Sequence, residues 1–521
     1  MKKNIIRNIT SGKTAKAELI KGVDIVANTV SSTFGYRGRT VLIEDEYGKN
    51  FPTKDGYNVL QEITLENSLQ NLACELLKEA SQKTVDFAGD GTTCTIVLSQ
   101  ALIKYSNEML KKGLSAIDIK QNIEKSRDLI LDFLTKLSTP ITDKLIHDVA
   151  MTSANGDSMI ADIVAEAFIT AGENGSVGHF RSNTDETFLE TIEGTLLDSG
   201  YADEGFINAY SDRTASFQNN PLVVLSHINF KTVNQILPFV EFAAENNREL
   251  VFVSDMEFQV KDVLLKNKKS GALKVAVVTP IGYSQKRKDL LSDLALVCGT
   301  EMISTISGDS FEGRAAEFLG TCKSVTIGSS DTIFIPSEDS DKSIVESKIN
   351  ELKEIELKSS NPLEKKYIKE RISKLSGIVS IIKVGGITES ELKERIDRVD
   401  DAVCAVRSAK EEGVVAGGGV ALMNAMFSLE KKLDDATANA ITSPFFKILD
   451  NASYIKEPKE FKVPDYPKGI DVKNFKEIDM FKAGIVDSTK VIKNALINAV
   501  SVANTILMTD NVITFKRERD E

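Results

Sequence analysis

Four segments rich in Gly, Asp and Thr hold the residues best suited to chemistry. They are Thr33-Phe34-Gly35-Tyr36-Arg37-Gly38-Arg39, Thr53-Lys54-Asp55-Gly56, Gly89-Asp90-Gly91-Thr92-Thr93 and Gly413-Val414-Val415-Ala416-Gly417-Gly418-Gly419. In the third, two glycines let the backbone turn tightly and come close to a ligand. A helix starting at Thr92 would present free N–H groups and a positive dipole end, a natural seat for phosphate. Asp90 is a hard oxygen ligand of the kind Mg²⁺ takes, and Thr92 and Thr93 add hydroxyl donors. The same residues would also serve as a capped helix start behind a glycine turn. Thr53–Gly56, read alone, is an Asp-Gly β-turn. Three glycines in a row suit neither a helix nor a strand interior, so Gly417–Gly419 points to a close backbone approach. Neither a G-x-x-x-x-G-K-[ST] loop nor a G-x-G-x-x-G after a strand occurs, which removes the two common nucleotide motifs.

Helices must position these loops. After Asn67 and Ser68, apolar residues at Leu69, Leu72, Ala73, Leu76, Leu77 and Ala80 follow helical spacing. The break at Ala88–Gly91 is followed by a second helix carrying Ile96, Val97, Ala101, Leu102, Tyr105 and Met109. Late in the chain, Leu392, Ile396, Val399, Val403 and Val406 make one seam; Val491, Ala495, Leu496, Ala499, Val502, Ala503 and Ile506 make another. Asp401 lies about 200° round the helix from Val399, off the apolar seam, where an acidic residue is ordinarily solvated. Between the helical ends, short apolar runs at Leu222–Leu225, Leu250–Val253, Val275–Val278 and Ser324–Ile327 alternate with helical stretches such as Val233–Ala244, as in an α/β layer. Ile344–Leu375, broken at Asn361-Pro362, reads as a surface helical hairpin, and Lys456–Lys476 as an irregular surface loop. The plan is nested: both ends form one domain, with the centre inserted.

Composition narrows the function. The 521 residues are 42% hydrophobic and 27% charged, which excludes a disordered or fibrous chain. A net charge of −12 argues against a nucleic-acid partner bound through bulk charge. No uninterrupted apolar run is long enough to span a membrane, so no membrane partner is expected. Five scattered cysteines form neither a disulfide framework nor a zinc motif, and Met1–Arg7 leads into no apolar signal region; both fit a cytoplasmic protein. Three histidines are too few for a histidine-based catalytic scheme.

Taken together, Thr53–Gly56, Gly89–Thr93 and the run from Val399 to Leu422, with Glu411-Glu412-Gly413-Val414-Val415-Ala416-Gly417-Gly418-Gly419, closely resemble the group I chaperonins of the GroEL type. The resemblance covers about residues 5 to 513. It implies a mixed α/β, multidomain chaperonin fold. A helical equatorial domain would take residues 1–136 and 412–521, a small intermediate hinge domain 137–193 and 377–411, and an α/β apical domain 194–376. Pro140, Gly194, Gly377 and Gly413 would fall at hinges. It implies an ATPase using Mg²⁺ and K⁺: Asp90 on the metal, Gly91, Thr92 and Thr93 around the phosphates, Thr33, Gly35 and Lys54 beside the nucleotide, Gly418 and Asp487 at the ribose. Asp401 would position or deprotonate the attacking water, with Asp55 its partner. This is reasonable phosphoryl-transfer chemistry, with charge neutralised, phosphate held and water aimed.

The resemblance further implies a heptameric ring, single or double, that binds non-native polypeptides, with a GroES-type co-chaperonin as a possible partner. A ring that only holds chains, without productive ATP turnover, is the alternative. Tyr201, Phe206, Leu237, Val240, Leu264 and Leu265 would line the client groove, where Gly205, Lys261 and Lys266 replace apolar residues of the family. Tyr36 replaces a proline, Cys94 a threonine of the phosphate loop, and Asp471 an asparagine at the nucleotide base. Ser199 replaces an arginine that pairs across subunits with the glutamate matching Glu389, so weak cooperativity is expected.

Overall fold

Hydrophobic period and helix breakers place the main elements where the sequence predicts them. The computed structural model describes residues 7–44, 48, 50–172, 175–280, 284–304, 311, 313–337, 342–359, 361–375, 377–454 and 465–515. Two units form: one from residues 1–165 and 397–521, the other from 166–396.

The first unit is largely helical. Helices Gly12–Val30, Ser68–Ala88, Thr92–Lys111 and Ala116–Leu137 pack around Thr489–Met508. The Asn67 side chain accepts from the Leu69 and Gln70 amides, satisfying two orphan donors at the start of Ser68–Ala88. Thr489–Met508 alone among the described helices is long and apolar enough to cross a membrane by length and composition; 61% of its apolar window is buried in the protein. Its alanines 495, 499 and 503 let neighbouring helices approach, while Leu496 and Ile506 fill the core. Each large side chain sealed this way contributes about 2 kcal/mol. Strands Arg7–Ser11 and Asn511–Phe515 pair antiparallel and bring the two ends of the chain together.

The second unit holds a seven-stranded mixed sheet. Leu222–Leu225, Leu250–Val253 and Val275–Val278 run parallel and are buried throughout, as expected of continuous apolar runs. Gly320–Ile327 joins them antiparallel and leads on to Thr332–Pro336 and Thr195–Leu197. A separate three-stranded sheet sets Ile378–Val384 between Ser176–Arg181 and Phe188–Glu193.

Two expectations change. The hairpin of Lys342–Lys358 and Pro362–Leu375 forms, but Leu352, Ile368 and Ile372 are buried in the core. Arg371 grips the buried Asp293 with two bonds of 2.7 Å, so this is a docked element rather than a surface appendage. Within Lys456–Lys476, the described part is no irregular loop: Lys468–Asp471 pairs with Lys476–Asp479 as a β-hairpin. The Asp471 carboxylate tightens its turn by accepting from Lys473 N and Asn474 Nδ2, both at 2.8 Å. Residues 455–464 and the first six of the N-terminal reading lie outside the described residues.

Candidate functional site

Two left-handed glycines frame Asp90. Gly89, at φ +73°, ends the helix Ser68–Ala88, and Gly91, at φ +96°, caps Thr92–Lys111. A side chain on Gly89 would collide with the Cβ of Cys404; one on Gly91 would come within 2.7 Å of Val491 Cγ1. Both positions therefore need glycine for backbone angle and for space. Asp90 accepts from the Gly91 amide and from Ser153 Oγ at 3.1 Å.

The other segments close on this loop. Asp55 caps the helix Gly56–Glu62, accepting from Tyr57 N at 3.0 Å and Asn58 N at 2.7 Å. Gly56 lies directly against Thr93. Asn58 Nδ2 donates to Asp397 at 2.7 Å on the helix Glu389–Glu412, and Ser408 Oγ of that helix donates to Ala88 O at 2.7 Å. Strand Val414–Ala416 pairs with Val486–Ser488, setting Val415 opposite Asp487. The Gly418 and Gly419 amides donate to the Asp487 carboxylate. Thr33 is buried in a 3₁₀ turn and Gly35 follows at φ +81°. Asn451 Nδ2 donates to Ser31 O and Phe34 O of the same turn. Lys54 is exposed. Tyr36 packs on Gly156, with the Lys473 ammonium 4.5 Å from its ring centre.

The carboxylates feel one another. Burial, then the charges of Asp90, Asp55, Asp400 and Asp397, pushes Asp401 well above the usual carboxylate range. Burial also raises Asp90, against the hydrogen bonds from Gly91 and Ser153, and Asp55 and Asp400 raise it further. Asp487 is pushed up to about 6, first by burial and then by Asp90, while the two glycine amides pull it down. Burial and the charges of Asp487 and Asp90 hold the Cys94 thiol protonated. The polar face of the helix Glu389–Glu412 is thus not simply solvated at Asp401. A divalent cation would relieve this repulsion, and a carboxylate set suits Mg²⁺. Among the described residues no group of three or more His, Cys, Asp or Glu could hold a metal ion.

A proton-affinity shift at Asp487 has a stability consequence. Its folded value of about 6 stands above the model-peptide 3.8, so its contribution is full below about pH 4 and is lost as pH rises through 6. Asp487→Asn keeps an acceptor for the two amides and removes the buried charge. At pH 7.5 it is expected to stabilise the ligand-free protein by about 3 kcal/mol, and near pH 4 by less than about 1 kcal/mol. Thermal unfolding of both proteins at the two pH values reads this; an equal gain at both would refute a charge origin.

The client-surface residues separate. Leu237 is exposed, and Tyr201, Val240 and Leu265 are partly buried against the core. Phe206 and Leu264 are sealed in that core, at 0% and 1% exposure, so the expectation that they line a client groove is corrected. Their size and apolarity are needed beneath the surface. Lys266 pairs with Asp262 at 2.6 Å, and Lys268 donates to Gly205 O and Ile207 O, both at 2.7 Å. Glu389 is gripped within its own chain by the Arg181 fork, one bond being 3.0 Å.

Sequence reasoning missed Ser153 and Asn58. Ser153 bonds Asp90 across 63 positions of chain and Asn58 reaches Asp397 across 339, so no local spacing announces either.

The TCP-1/cpn60 chaperonin family model matches residues 26–517. The chain belongs to this family, and its fold is the mixed α/β, multidomain chaperonin fold. Among solved structures it is similar to the chaperonin gp146 from the bacteriophage EL 2 (Pseudomonas aeruginosa), crystallised in the presence of ATP-BeFx. Identity is 21%, over 98% of this chain and 99% of that one, with a TM-score of 0.77; a second crystal form gives 0.69.

Proposed function

We propose that this chaperonin hydrolyses ATP, with Mg²⁺ and K⁺, to drive the folding of non-native polypeptides inside heptameric rings, single or double, in the cytoplasm. The observation carrying this reading is the convergence of Asp55, Asp90 and Asp401 on the start of the helix Thr92–Lys111. Amide donors there suit phosphate, and carboxylates beside them suit the cation that accompanies it. Mg²⁺, when bound, supplies neutralisation of phosphate charge. Asp90 would hold it, and Gly91, Thr92 and Thr93 would receive the phosphate oxygens. Thr33, Gly35 and Lys54 would flank the nucleotide, and Gly418 and Asp487 would meet its sugar. Asp401 would aim the attacking water and accept its proton, with Asp55 beside it. Burial, the largest cause of the raised proton affinity, favours Asp401 as a proton acceptor, and a cation that compensates the neighbouring carboxylates would keep it ionised.

Equatorial (1–136, 412–521), intermediate (137–193, 377–411) and apical (194–376) domains would divide the work. Leu237, with Tyr201, Val240 and Leu265, would take up apolar client segments. Ring assembly is supported by the exposed apolar residues Ile9 and Ile513, directly opposite each other on the two-stranded sheet of the chain ends. With Ser199 in place of the pairing arginine and Glu389 engaged by Arg181, weak cooperativity is expected, and a GroES-type co-chaperonin remains a candidate partner.

Aggregation of a thermolabile protein, followed by light scattering with and without ATP, tests the proposal. Recovery of active client only with ATP is expected. Equal suppression in both arms, with no recovery, would replace it by a passive holding ring.

A further inference from the structure

Cys298 closes the helix Ser284–Cys298, and Cys322 lies on the strand Gly320–Ile327. Their sulfurs are 3.4 Å apart, and the residues are 2% and 0% exposed. Both belong to the apolar core of the second unit, where the other described members of the cluster are hydrophobic. Nothing in the proposed ATPase or client surface uses them. The strand carrying Cys322 is bonded to Leu222–Leu225, Ala215–Phe217 and Thr332–Pro336, which makes it a junction of the sheet. Gly320, without a side chain, lets the helix end come close: a Cβ there would lie 2.7 Å from Cys298 O.

A disulfide needs its sulfurs about 2 Å apart. The sulfurs must therefore close in from 3.4 Å. We infer that Cys298 and Cys322 form an oxidative modification site, at which a peroxide converts the thiol pair into a disulfide tying the helix end to the junction strand. One sulfur, as thiolate, attacks a peroxide oxygen; the O–O bond breaks, giving a sulfenic acid and, with a proton, the first water. The second sulfur attacks the sulfenic sulfur, and the S–O bond breaks to give the second water. The two thiols lose two electrons and two protons to the peroxide. The second step is intramolecular, so the sulfenic acid is captured before it meets more oxidant. The hydrogen bond with the Cys322 sulfur, and then burial, disfavours the Cys298 thiolate, so the first step is slow at neutral pH and faster as pH rises. The disulfide would close a loop spanning 24 positions, which restricts the unfolded chain.

Hydrogen peroxide added to the full-length protein tests this. Denaturation, alkylation and peptide mapping follow. The expected result is a Cys298–Cys322 linked peptide, loss of two alkylatable thiols, and an unfolding midpoint raised by several degrees and restored by dithiothreitol. Cys298→Ser and Cys322→Ser should each abolish link and rise together. The inference is overturned if both thiols stay alkylatable while the half-buried Cys94 or Cys404 oxidises. It is equally overturned if either sulfur proceeds to sulfinic acid or links to a different cysteine. The comparison of oxidised with reduced parent needs no variant, so a misfolding substitution does not decide the outcome.

Discussion

Asp401→Ala is expected to slow ATP hydrolysis by about 100-fold or more under saturating ATP, Mg²⁺ and K⁺. The side chain sits on the helix Glu389–Glu412, and its carboxyl is raised by burial and then by Asp90, Asp55, Asp400 and Asp397. Removing it deletes the group proposed to receive the water proton, yet takes away a repelled buried charge. The variant should therefore melt no lower than the parent, which separates lost chemistry from lost fold. Residues that act as a unit lose activity non-additively. Asp55→Ala combined with Asp401→Ala should thus cost little beyond Asp401→Ala alone. Omission of Mg²⁺ should abolish turnover in every variant. A steady-state rate within a few-fold of the parent for Asp401→Ala would reject the assignment.

Gly89→Ala is expected to lower stability strongly, through backbone angle and collision together. Gly89 is held at φ +73°, where an L-residue costs about 1 kcal/mol. Its new Cβ would collide with the Cβ of Cys404, which no rotamer change can move. Overpacking of this kind adds about 2 kcal/mol, for about 3 kcal/mol in all. Cys404 is three residues beyond Asp401 on the same helix, so the displacement reaches the catalytic candidate and ATPase activity should fall with stability. Cys404→Gly in the Gly89→Ala background removes the obstructing atom and should recover most of the overpacking term, less about 1 kcal/mol for glycine in a helix. Calorimetry of the parent, single and double variants measures this. An additive double variant would place the strain elsewhere.

Much of this protein is determined by sequence alone. Helical period and capping set Ser68–Ala88 and Thr92–Lys111, and fully apolar runs set the three parallel strands to the residue, because each rests on local steric and burial rules. The glycine-flanked Asp90 loop was legible for the same reason: left-handed angles leave glycine as the natural choice. Tertiary structure alone decided the rest. Whether Asp401 met water or a carboxylate cluster depended on which helix face was covered, and pairing Asp90 with Ser153 required contacts far apart in sequence. Phe206 and Leu264 look like binding residues in sequence and are core, since apolar side chains are equally suited to a groove and to the layer beneath it. The contact of Cys298 with Cys322 likewise follows from docking a helix end on a strand, and no spacing rule encodes that.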